Sequence, residues 1–138
     1  MRVAIVFFAP KNRDKMIHIA KALAKGIESQ GHQVEVIDGD HDVNTKMTIF
    51  QYIVVGTTAT TAFGGKIPDK ISTFLANSGM VSGKRSTAFL LKGGLRAGKT
   101  LRVLMKVMEQ EGMYLKFSEI ISSEPEAGEI GKRLHISP

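Results

Sequence analysis

The most defined chemical spacing in this chain is Gly93-Gly94-Leu95-Arg96-Ala97-Gly98-Lys99-Thr100. It satisfies G-x-x-x-x-G-K-[ST], with a strand-like run before it and a helix-periodic run after it. In that context glycine amides can cradle a phosphate, while the lysine and the hydroxyl reach outer phosphates and magnesium. A second anion-suited segment is Ala9-Pro10-Lys11-Asn12-Arg13-Asp14. It joins an apolar run to a helix start, where free N–H groups and the dipole attract negative charge, and Lys11 and Arg13 add cations there. The same residues also read as a turn with Asp14 near the helix N-cap and two solvated cations. The third segment, Gly56 to Gly65, contains Thr57, Thr58, Thr60 and Thr61 around Ala59, with Ala62, Phe63 and Gly64 after them. Its small and hydroxyl-bearing side chains suit a pocket wall and close approach to a flat ligand. At roughly ten residues it exceeds most connections between a strand and a helix.

Other chemistries lack their residues. There is no cysteine, which removes disulfides, thiolate catalysis and Cys-ligated zinc. His18, His32, His41 and His135 fall on a helix, a turn, a loop and the tail without metal-ligand spacing. No serine sits in a nucleophile elbow, and no carboxylate pair is placed to share one pocket.

The elements that must position these loops follow from periodicity. Apolar runs alternate with helix-periodic stretches, as in βαβ units with a parallel sheet. Strands are predicted at Val3–Phe8, Val34–Ile37, Tyr52–Val55, Thr87–Leu91 and Leu115–Ile121. The first is a continuous apolar run, expected of a strand covered on both faces. Helices are predicted at Asp14–Gln30, Ile67–Asn77, Leu101–Gln110 and Ala127–Leu134, with Pro68 in the first turn of the second. The segment between strands two and three is too short for a full helix. Five such units predict a three-layer, doubly wound five-stranded α/β sheet in strand order 2-1-3-4-5. In such sheets ligands sit beyond the carboxyl ends of the strands, where the strand order reverses. The three unusual segments are the loops after strands one, three and four.

Composition sets the broad class. At 138 residues, 43% hydrophobic and 23% charged, the chain reads as one globular domain over 1–138. No apolar run approaches the ~20 residues of a bilayer span, and the first apolar run reads better as a buried strand than as a signal peptide. The protein is expected to be cytoplasmic, with no membrane partner. Its net charge of +6 permits anionic partners. With no tryptophan and two tyrosines, a solvated basic surface is favoured over nucleic-acid binding.

With the loops placed, Val54-Val55-Gly56-Thr57, then Phe63-Gly64-Gly65-Lys66-Ile67-Pro68 and Phe74-Leu75, resemble the strand-three exit, Phe-Gly-Gly segment and following helix of the flavodoxin family. Leu91-Lys92-Gly93-Gly94 is similar to the family's strand-four exit, which borders the flavin ring. The resemblance covers nearly the whole chain and implies FMN between strands one and three, with electron transfer or flavin-dependent reduction as the activity. It assigns the phosphate to Lys11, Asn12, Arg13 and the first helix's N-terminus, with Pro10 and Asp14 flanking them. Thr57, Thr58, Ala59, Thr60, Phe63 and Gly64 would line one side of the ring, and Lys92, Gly93 and Gly94 the other. No residue is expected to act as a general acid or base.

The first loop departs from the family's Ser/Thr-x-Thr-Gly-Asn-Thr pattern. Phe8 and Pro10 stand where two hydroxyls belong, Lys11 replaces glycine, and Arg13 replaces the last threonine. Pro10 also removes an amide donor. The family is typically acidic, whereas loops three and four here carry Lys66, Lys92, Arg96 and Lys99, with Phe63 their only aromatic. Two alternatives stand beside FMN binding. The FMN reading implies a redox protein as partner; the first alternative is a derivative of the fold without flavin whose surface binds a partner. The other is nucleotide binding through Gly93–Thr100. Against the latter, no later strand ends in an aspartate that would help hold magnesium.

Overall fold

The computed structural model describes residues 1–137. Its elements in chain order are β1 (Arg2–Phe8), α1 (Arg13–Glu28), β2 (Gln33–Asp38), β3 (Tyr52–Thr57), α2 (Lys70–Asn77), β4 (Arg85–Leu91), α3 (Ala97–Gln110), β5 (Tyr114–Ile121) and α4 (Glu124–Arg133). The five strands form one sheet in the order β2-β1-β3-β4-β5, and every neighbouring pair is parallel. The predicted three-layer architecture is thus the observed one.

Strand alternation divides the core into two halves. Val3, Ile5 and Phe7 of β1 pack with Met16, Ile19 and Leu23 of α1 and Ala127 and Ile130 of α4. Ala4, Val6 and Phe8 face the other way, against Ile71, Phe74 and Leu75 of α2 and Leu101, Leu104 and Met108 of α3. Period-2 strand side chains and 3.6-period helix stripes meet as the apolar pattern requires. Met108, with no solvent exposure, fills the second half-core.

Three helix starts differ from the sequence expectation by three residues or more; α4 opens at Glu124 rather than Ala127, with Ser123 as its N-cap. α2 begins at Lys70 rather than Ile67, because a residue before proline is pushed out of helical geometry. Pro68 therefore precedes the helix instead of opening it. α3 begins at Ala97 rather than Leu101, so Gly98, Lys99 and Thr100 form its first turn. The Thr100 N–H and hydroxyl both bond the Arg96 carbonyl, which offsets the poor helix propensity of glycine and threonine. Loop four is shortened to Lys92–Arg96. At the sheet edge β5 carries a bulge, where Ser86 pairs with Leu115 and Thr87 with Phe117. Among the described residues no helix is long and apolar enough to cross a membrane.

Candidate functional site

Loop one leaves β1 at Ala9 and enters α1 through Asn12, whose left-handed backbone (φ 56°, ψ 40°) makes the sharp turn. Asparagine tolerates that conformation better than most residues. The first intrahelical bond runs from the Met16 amide to the Asn12 carbonyl at 3.0 Å. The amides of Arg13, Asp14 and Lys15 lie ahead of it and lack a helical acceptor. Pro10, Lys11, Asn12 and Asp14 are exposed.

Arg13 has other partners than those the sequence assigned to it. Its guanidinium pairs with Asp38 and lies 2.8 Å from Asp40. It also donates to the Ala9 carbonyl at 3.3 Å and lies over the Phe7 ring. Asp40 in turn accepts the Ala9 amide at 2.8 Å and meets Lys70 of α2 at 3.1 Å. Burial opposes the charge on Arg13, yet its bonds to Asp38 and Asp40 prevail and raise its pKa. Burial would also raise the Asp38 carboxyl, but bonds from His41, the Asp40 amide and Arg13 hold it below the ordinary value. The carboxylates of Asp38, the last residue of β2, and Asp40, in the turn after it, therefore occupy the guanidinium and one amide that sequence reasoning reserved for a phosphate. In the sequence Asp38-Gly39-Asp40 is no more than an acidic turn after a strand, with nothing to mark it as a partner of Arg13.

Loop three runs from Thr58 to Asp69 and leans on loop four. The Leu95 amide donates to the Ala62 carbonyl at 2.8 Å, and the Gly65 amide to the Thr100 hydroxyl at 2.7 Å. Gly64 (φ 75°) and Gly94 (φ 68°) make this contact possible. A Cβ on Gly64 would fall 2.0 Å from the Leu95 carbonyl oxygen, and one on Gly94 2.7 Å from that of Ala62. Thr57 bonds the Phe8 carbonyl at 2.9 Å, fastening the ends of β3 and β1. The Thr58 hydroxyl is buried and has no partner among the described residues, an expensive state for a polar group.

One cavity of about 130 Å³ collects all three loops. Lys11 and Asn12 line it from loop one, Thr58, Ala59 and Ala62 from loop three, and Leu91, Lys92, Gly93 and Gly94 from the end of β4 and loop four. Of the residues singled out by sequence, Pro10, Arg13, Asp14, Thr57, Thr60, Phe63 and Gly64 lie outside its lining. Thr57 is a buried strand tie, Thr60 lines a separate groove, and Phe63 is 73% exposed. Ala62, an exposed loop position, and Leu91, the last residue of β4, are additions.

The G-x-x-x-x-G-K-T segment has a different use here. The Thr100 hydroxyl is fully buried between the Arg96 carbonyl and the Gly65 amide, so in this conformation it is engaged by the protein itself. Among the described residues no group of three His, Cys, Asp or Glu side chains could hold a metal.

No family model matches the sequence, and comparison with curated proteins finds no match. Solved structures do match. An oxidised flavodoxin 1 from Bacillus cereus is 17% identical with a TM-score of 0.71, covering 98% of this chain and 99% of its own. Two-electron reduced Megasphaera elsdenii flavodoxin is 19% identical with a TM-score of 0.71, over 94% of this chain and 96% of its own. A flavodoxin from the domain Archaea gives 17% and 0.65, over 96% and 94%. At such identities the likeness is one of fold, and the fold is flavodoxin-like.

Proposed function

We propose that this chain binds FMN where loops one, three and four meet and works as a flavodoxin-like redox protein. The observation that carries this reading is that the three loops converge on one cavity, whose lining includes Thr58, a residue with a buried, partnerless hydroxyl that is reached only when the loops part. A donor-acceptor group hidden from water costs about 1–3 kcal/mol, and a polar ring edge would relieve it. Ala59, Gly93 and Gly94 leave the surrounding walls without bulky side chains, which suits a flat ring.

The phosphate end fits in altered form. Backbone amides 13–15 and the Lys11 ammonium would hold it, while Arg13 positions loop one through Asp38 and Asp40. The flavin, when bound, supplies the electron-carrying ring. The chain's own work is to orient it, shield one side from water and set the surrounding charge. At about 130 Å³ the cavity is below the ~300 Å³ at the lower end of ligand sites. Binding therefore requires loops three and four to part at the Ala62–Leu95 and Gly65–Thr100 bonds.

Titration of flavin fluorescence with FMN and with riboflavin tests this reading. FMN is expected to bind with a sub-micromolar Kd, about −8 kcal/mol or better, and riboflavin more weakly for want of a phosphate. A second reading, the fold without flavin serving a partner, is supported by the internal carboxylates at Arg13 and the Ala9 amide. Absence of quenching by either flavin at tens of micromolar would favour it.

A further inference from the structure

Lysine and arginine look scattered along this chain until the acids are counted with them. Between Val43 and Met108 there are ten Lys and Arg and a single acidic residue, Asp69, so this stretch carries +9 and the remainder −3. That stretch is β3, α2, β4 and α3 with their loops. The basic excess thus belongs to one side of the molecule.

On that side lies a groove of about 510 Å³ between the start of α2 and the outer surface of α3. Ile67, Pro68, Val103 and Val107 give it apolar walls, and Asp69 lines it at the N-cap of α2. Lys66 stands on one rim. On α3, Lys99, Arg102 and Lys106 follow at helical spacing beside the Val103–Val107 row. All four cations are exposed and none forms an ion pair among the described residues. At the loop end of the groove Phe63 and Leu95 are 73% and 60% exposed, and they are held close by the Ala62–Leu95 bond.

We infer that this face docks a protein partner whose own surface is acidic around an apolar anchor. Exposed apolar residues ringed by unpaired cations combine a contact that excludes water with long-range steering of a negative surface. Nucleic acid fits less well, because loops three and four and α3 carry a single aromatic side chain, Phe63, where binding along a strand uses several stacking positions. A membrane surface fits less well too, because the apolar stripe of α3 (Leu101, Leu104, Met108) is spent in the core. The inference rests on charge and exposure and stands whether or not flavin binds.

The test uses the full chain, labelled with ¹⁵N, and a synthetic peptide with a Leu-Trp centre flanked by glutamates. Amide shifts are expected at residues 61–67 and 92–107. The triple variant Lys99→Glu/Arg102→Glu/Lys106→Glu should weaken binding at least about tenfold, and Phe63→Ser should weaken it further. The control Lys21→Glu/Lys25→Glu/Lys132→Glu, which alters net charge equally on α1 and α4, should leave affinity within about twofold. Thermal melts confirm that each variant is folded. Equal losses in both triple variants would reduce the effect to net charge and overturn the proposal, as would the absence of peptide binding. Tighter binding of single-stranded DNA or of phosphatidylserine vesicles than of the peptide would overturn it in favour of that other class.

Discussion

Thr58 and Arg13 illustrate opposite fates for residues assigned to a ligand from sequence. Thr58 keeps a buried hydroxyl with no protein partner, so Thr58→Val should leave stability unchanged or raise it while weakening FMN binding about tenfold, the value of one lost hydrogen bond. Paired denaturation and titration measurements check this, and an unchanged Kd would remove Thr58 from the site. Arg13 is spent on Asp38 and Asp40. Arg13→Ala should cost roughly 2 kcal/mol of stability, as charge-assisted bonds at a half-buried site do, with less than about a threefold change in FMN affinity, under 0.7 kcal/mol. A large loss of affinity with little loss of stability would return Arg13 to the phosphate. The Asp38 carboxyl is held below its ordinary value, so its contribution is full above the unfolded pKa and is lost as pH falls through the folded one. The stability gap between wild type and Asp38→Asn should therefore be present at neutral pH and close below about pH 4. A gap that persists in strong acid would mean that the carboxylate charge is not what holds Arg13. Sequence spacing marked Arg13 as a cation at a helix start. It could not reveal that its counter-ions come from a turn elsewhere in the chain.

At the scale of elements the sequence was highly legible, because each strand and helix announces itself by an apolar period and the order of βα units dictates the sheet. Helix starts were not, and the reason lies in loop three. Ala97–Thr100 reads as loop by propensity, yet it is helical because Thr100 bonds back to Arg96 and forward to Gly65. That hydroxyl ties α3 to loop three, a tertiary bond no local window contains. Thr100→Val should cost about 1–2 kcal/mol, since it orphans the Gly65 amide. It should also speed amide exchange in residues 60–66 more than in the β3 strand. Uniform acceleration across both would mean that loop three is held by the core rather than by this bond. The meeting of the three loops at one cavity was legible for a related reason: strand order alone places the carboxyl ends of β1, β3 and β4 together. Which side chains turn into the cavity depends on ties such as Thr57 to Phe8, and those are invisible in a linear pattern.

For the whole molecule, the division of charge matters more than its sum. The count of acids between Val43 and Met108 was available in the sequence, but only the topology gathers that stretch onto one side of the sheet. Lys92 lines the cavity, and exposed Lys66, Arg96 and Lys99 belong to the same loops and helix start. A nearby cation favours the negatively charged form of any titrating or redox group, so under the proposed FMN binding this environment would stabilise reduced flavin over oxidised flavin. With FMN bound, the more negative of the two reduction steps should shift upward relative to Lys92→Glu/Arg96→Glu by a few tens of millivolts, given about 59 mV per tenfold for one electron. The difference should shrink in about 1 M salt, where charges more than ~3 Å apart are screened. Spectroelectrochemical titration of both forms at low and high salt separates the causes. A shift that survives salt would come from a direct bond of Lys92 to the flavin. Identical potentials at low salt would mean that solvent already screens the basic face, and that its cations serve association alone.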